Sequence, residues 1–163
     1  MTLGLEPNEE LLDTVLVSYA RRFTTPDELR RATERPDPKA NPNPSLRTML
    51  GRGPGGGRRS GIGAYRKWCQ HADSVGFPVG GMVMTLAITN LRLLVYRPTF
   101  VRGRPKLLVG GLPLRSISQC TMQRGILHHR IIVLFSDGGL VEVEPMWRRQ
   151  AKAFVRTVEA ART

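Results

Sequence analysis

Two stretches decide the fold: residues 82–100, MVMTLAITNLRLLVYRPTF, and residues 128–143, HHRIIVLFSDGGLVEV. Both break into short apolar runs rich in β-branched residues, interrupted by turn formers at a spacing too close for helices. Strands are predicted at Met82–Ile88, Leu91–Tyr96, Lys106–Val109, Ile117–Gln123, Arg130–Phe135 and Leu140–Val143. Thr89-Asn90, Gly103, Gly110-Gly111, Arg124-Gly125 and the run from Ser136 to Gly139 are predicted to supply the turns. Asp137-Gly138 is the strongest of these signals, because both residues tolerate positive φ. Six strands in succession read as a meander.

After Pro145 the period changes to that of a helix. Trp147, Ala151, Phe154, Val155 and Val158 share one face, while Arg148, Arg149, Lys152 and Arg156 lie toward the other and read most simply as its solvated side. A meander has two open edges and an apolar face, so Trp147 and Phe154 are expected to cap it. Upstream, residues 8–23 fit a helix with Asn8 as N-cap and the stripe Leu11, Leu12, Val15, Leu16, Tyr19 and Phe23. The same residues fit a strand with Val15, Val17 and Tyr19 on one face, and periodicity does not choose between them. A short helix is predicted at Pro26–Thr33, with Thr25 and Glu28 in capping-box positions. Residues 36–61 carry prolines and glycines without an apolar period and read as a linker or loop. A further helix opens at Ser60 or Gly61, presents Ile62, Tyr65, Trp68, Cys69, Ala72 and Val75, ends at Gly76 and is expected to dock on the domain C-terminal to it.

In order, LAITNLRLLVY (Leu86–Tyr96), GGLPLRSI (Gly110–Ile117), IIVLFSDGGLVEV (Ile131–Val143) and AKAFVRTV (Ala151–Val158) resemble the bacterial branch of the pleckstrin-homology-like (PH-like) domains, close to the GRAM type. The resemblance covers residues 79–160 or so, and its specificity lies in the order of motifs that are each weak alone. It implies an α+β, mainly β class: a PH-like small antiparallel barrel or bent sheet capped by a C-terminal helix, with helical N-terminal and insertion segments. Such domains have seven strands, so one must come from upstream, and Leu12–Tyr19 supplies it if its strand reading holds. The chain then divides into an N-terminal segment (1–35), a basic Pro/Gly-rich loop (36–61), and a docking helix plus PH-like domain (62–163). The resemblance also implies a binding module without catalysis, whose relatives hold phosphoinositide headgroups, other proteins or copies of themselves.

Charge narrows the partners. The 163 residues carry 25 Lys+Arg against 13 Asp+Glu, a formal net charge of +12, which attracts polyanions. The first fifty residues are nearly neutral, so the excess sits in the Gly-rich segment and the C-terminal half. Two cysteines without CxxC spacing and an acidic N-terminus without a leader pattern point to the cytoplasm, with a peripheral place at the inner face of the membrane. Candidate anion- or lipid-binding residues form two groups. Arg52, Arg58 and Arg59 stand in a glycine-rich run whose backbone N–H groups suit phosphate, although Arg58-Arg59-Ser60 is not the Gly-Lys-Ser/Thr of a Walker loop. Arg97, Arg102, Arg104 and Lys106 flank a hairpin tip carrying Phe100 and Val101, which suits an anionic lipid surface; the plainer reading is edge-protecting charge.

No catalytic residue, metal site or cofactor is assigned. The residues hold no GxSxG or HExxH, and His128 and His129 point to opposite faces of a strand. Cys120 is expected to pack as a small apolar group, Asp137 to serve its turn, and Glu142 and Glu144 to lie on an exposed strand face. The expected function is a non-catalytic adaptor for a protein partner or homo-oligomer, with peripheral attraction to anionic membrane. The alternative is a nucleic-acid binder using the Arg/Gly-rich loop and basic surface, against which only 6% of residues are aromatic and none stands in a base-stacking signature.

Overall fold

Leu11–Tyr19 is a strand, β1, and it resolves the ambiguity left by its periodicity. Val15, Val17 and Tyr19 are buried on one face, whereas Leu11 and Leu12, which a helix would have turned inward, are exposed. Asn8 adopts a left-handed turn conformation with φ 69° instead of capping a helix. The computed structural model describes residues 4–20, 61–98, 105–124 and 129–162. The predicted helix at 26–33, most of the 36–61 loop and the turns at Gly103 and Gly125 lie outside them.

Six further strands follow: β2 (Val83–Thr89), β3 (Arg92–Pro98), β4 (Pro105–Pro113), β5 (Ile117–Arg124), β6 (His129–Phe135) and β7 (Leu140–Pro145). They form one antiparallel sheet in the order β4-β3-β2-β1-β7-β6-β5. β1 is therefore the central strand that joins two meanders, pairing Val15 with Leu86 on one side and Val17 with Pro145 on the other. The barrel expectation needs correction to an open sheet: among the described residues β4 and β5 are outermost and do not pair with each other. Both edges are nevertheless guarded. β4 is broken by two register shifts, and β5 donates its Cys120 backbone N–H to the Glu159 carboxylate at 2.6 Å.

The 14-residue helix α1 (Gly61–Ser74) docks where β7 runs on past the end of β1. There the carbonyl of Glu142 accepts the Trp68 indole N–H at 2.8 Å, and the Leu140 carbonyl lies 2.8 Å from His71 Nε2. Among the described residues, these two side chains occupy positions that a neighbouring strand would otherwise fill. Trp68 and Ala72 are wholly buried as the stripe predicts, but Ile62, expected beside them, is 64% exposed because the first turn of α1 extends beyond the core. Gly76, with φ 70°, reverses the chain after α1 as expected of a helix-terminating glycine.

The closing helix α2 (Arg148–Arg162) covers the inner face of the sheet with Ala151, Phe154 and Val158. Trp147 does not help to cap it. It precedes the helix, its carbonyl accepting from Ala151 at 3.1 Å, and it is 53% exposed. A small second cluster on the outer face, Ala87, Leu94 and Tyr96, is covered by Leu5 from the N-terminal segment.

Gly110-Gly111 is not a turn. Both residues lie inside β4, opposite Val95 and Leu94, and the corner falls instead at a 3-10 turn over Leu114–Ser116. Space is the reason. A Cβ on Gly110 would stand 2.9 Å from the Pro78 ring, and one on Gly111 would stand 2.8 Å from Leu94. Because a proline ring has no rotamer to escape into, Gly110→Ala is expected to destabilise by about 1–3 kcal/mol. A thermal melt checks this, and an unchanged midpoint would contradict the close approach.

Candidate functional site

Of the seven basic residues singled out in the sequence, Arg52, Arg58, Arg59, Arg102 and Arg104 lie outside the described residues. Arg97 and Lys106 are brought to the adjoining ends of β3 and β4, where Arg97 pairs with Leu107 and Lys106 falls within a register shift. Both are exposed. Arg97 is partly engaged, donating from Nε to the Gly80 carbonyl at 3.1 Å.

Three carboxylate clusters have structural work instead. Glu9, whose side chain is fully enclosed, receives Arg92 Nε at 2.8 Å on one oxygen and Nη2 at 2.8 Å on the other, plus the Thr89 hydroxyl at 2.7 Å. The Arg92 bonds dominate and outweigh the burial that would raise it, so the Glu9 carboxyl is held down at about 2. Arg92 also reaches Glu6 at 3.1 Å and the Gly4 carbonyl at 3.2 Å, while Asn90 bonds Glu10 and Asn8. The β2–β3 turn is thereby laced to the N-terminal segment.

Glu142 corrects the expectation of an exposed face. It is 3% exposed and paired with Arg130 Nη1 at 2.8 Å across β6 and β7. Glu159 links α2 to β5: burial pushes its carboxyl up, but the Arg162 bond at 2.9 Å and the Cys120 amide prevail and hold it below its ordinary value. Cys120 itself packs as an apolar group, burial and the nearby Glu159 charge pushing its thiol up to about 12. Asp137 serves its turn, accepting the Gly139 N–H at 2.8 Å.

A shallow depression of about 260 Å³ lies on the outer face of β5–β7, with Gln119, Thr121 and Gln123 along one side and Ile132, Leu134, Leu140 and Glu142 beneath. Amides, a hydroxyl and aliphatic groups offer hydrogen bonds and apolar contact, and the carboxylate there is already paired. Among the described residues no three of His, Cys, Asp and Glu come together as metal ligands, and His129 Nδ1 is buried without a partner.

Among the described residues, the largest concentration of unengaged charge is on α2. Arg148, Arg149, Lys152 and Arg156 are all exposed, and Met146 and Trp147, at 51% and 53% exposure, stand immediately before them. Sequence period missed this juxtaposition because it assigned Trp147 to the buried face. Among the described residues no helix is long and apolar enough to cross a membrane. Comparison with models of known protein families gives no match, and neither does comparison with curated proteins.

Proposed function

We propose that the chain is a non-catalytic docking module of the PH-like kind, whose partner is another protein or a second copy of itself. The observation that carries this reading is the strand order, in which two meanders, β1–β4 and β5–β7, join through β1 and β7 beneath a C-terminal helix. The motifs follow one another along the fold, Leu86–Tyr96 on the β2–β3 hairpin, Gly110–Ile117 on the corner from β4 into β5, Ile131–Val143 on β6–β7 and Ala151–Val158 on α2. Further support comes from the carboxylates, three of which hold strands and helix together while the exposed surface is basic and in places apolar. Such a surface suits recognition by contact.

The net charge favours nucleic acid as a second reading, and one experiment separates the two. At physiological salt, crosslinking followed by mass determination is expected to give a discrete complex with protein, a second copy or a different chain. Gel shifts with random DNA and RNA are expected to disappear over the same salt range, because purely phosphate-directed binding weakens steeply with salt. A nucleic-acid complex that stays tight at physiological salt overturns the docking reading.

A further inference from the structure

We propose that the exposed face of α2, together with Met146 and Trp147, is a contact surface for an anionic lipid bilayer. The inference goes beyond the docking-module reading, whose partner is a protein, and gives the same chain a second surface with a lipid occupant. The four bases span about 100° of the helix circumference, on the side away from Ala151, Phe154 and Val158. The one acid on the helix, Glu159, is occupied by Arg162 and the Cys120 amide, so nothing on α2 balances that stripe. Asp13 of β1, the acid that meets the helix from beneath, lies 3.5 Å from the Thr157 hydroxyl.

The chemistry selects a bilayer from among anionic partners. An indole half in water beside a thioether, followed at once by two arginines, matches the interface, where the ring sits at headgroup depth and arginine stems extend to the phosphates. The stripe supplies attraction to a negatively charged leaflet, and the two apolar side chains supply insertion. Neither part alone holds a protein on a membrane. The bases lie on the outward face of α2 and the two exposed apolar side chains immediately before its first turn, so both reach solvent without any strand or helix having to move.

The test uses the full chain with phosphatidylcholine vesicles, with or without phosphatidylglycerol. Trp68 is wholly buried, so a change in tryptophan emission on adding vesicles reports Trp147. The expected result is a blue shift, protection from aqueous quencher and co-sedimentation, all with the anionic vesicles alone. Removing charge with R148Q, R149Q, K152Q and R156Q is expected to weaken partition roughly fivefold per base. Trp147→Ala is expected to weaken it roughly tenfold. All these side chains are exposed, so unchanged melting temperatures show that the fold survives. Loss of binding in Arg52/Arg58/Arg59 or Arg102/Arg104 variants, with the α2 variants unaffected, overturns the surface and leaves the docking reading intact. Absence of anionic-vesicle binding beside a protein complex overturns the lipid occupant alone. A nucleic-acid complex persisting at physiological salt, lost in the α2 variants, overturns both.

Discussion

Trp68→Ala is expected to cost about 3–5 kcal/mol of folding stability, the largest effect of any single substitution in α1. The side chain is wholly enclosed, with the rings of Phe77, Tyr19 and Tyr65 at 6.3, 6.4 and 6.5 Å. Alanine leaves a cavity among three aromatic neighbours and strips the Glu142 carbonyl of its 2.8 Å donor. Trp68→Phe separates these contributions. It keeps most of the ring volume and loses the N–H, so its cost is expected to be smaller, about 1–3 kcal/mol for the loss of one buried hydrogen bond. Chemical denaturation of the three proteins gives the ranking, and amide exchange locates the loss. α1 is expected to exchange faster in the alanine variant than the β2–β3 hairpin does, since Trp68 is its deepest anchor. A cost below about 1 kcal/mol for alanine would mean that α1 does not seal the end of the sheet.

The elements that could be read from the sequence are those whose signal is local. The β6–β7 hairpin follows from Asp137-Gly138, and the structure shows why: Gly138 has φ 87° and Asp137 bonds Gly139. α2 follows from its apolar period, and α1 from Trp68, Ala72 and the Gly76 stop. What could not be read depends on residues distant in the chain. β1 fits two periods equally, and its identity is decided by β2 and β7, which both require it as a neighbour. Gly110-Gly111 looks like a turn because glycine pairs make turns, whereas here the missing side chains admit Pro78 and Leu94. Glu142 reads as exposed from alternation alone. Its burial depends on Arg130, a diagonal cross-strand neighbour that the hairpin register would have exposed to view, since Ile132 stands opposite Glu142.

The candidate surface on α2 was half legible. The four bases follow from the helical period, but Trp147 continues that period on paper while lying outside the helix in space. Its exposure is a matter of where the sheet ends. No local pattern carries that information, because the edge of a sheet is set by how many strands join it and how far each one runs.

The Glu9–Arg92 pair makes the second large prediction, and it is the least visible in sequence, its partners being 83 residues apart. Glu9 is held at about 2 in the folded protein against an ordinary 4.5. A depressed carboxyl contributes stability in full above the unfolded value and loses it as pH falls through the folded one. The window therefore runs from about pH 5 down to about pH 2, and the contribution lost is about 3 kcal/mol. Glu9→Gln keeps the size of the side chain and a partner for Thr89 but leaves the Arg92 guanidinium without its counter-charge. At neutral pH it is expected to cost a similar amount, about 3 kcal/mol. Below about pH 2 the two proteins are expected to converge, since protonated Glu9 and glutamine are both neutral. Glu159 also titrates in the acid range with its carboxyl lowered, and its contribution has the same sign. The difference between the wild-type and Glu9→Gln curves cancels that background. Parallel curves, with no narrowing of the gap in acid, would show that the N-terminal segment is held by Leu5 against Ala87, Leu94 and Tyr96 and not by the charge pair.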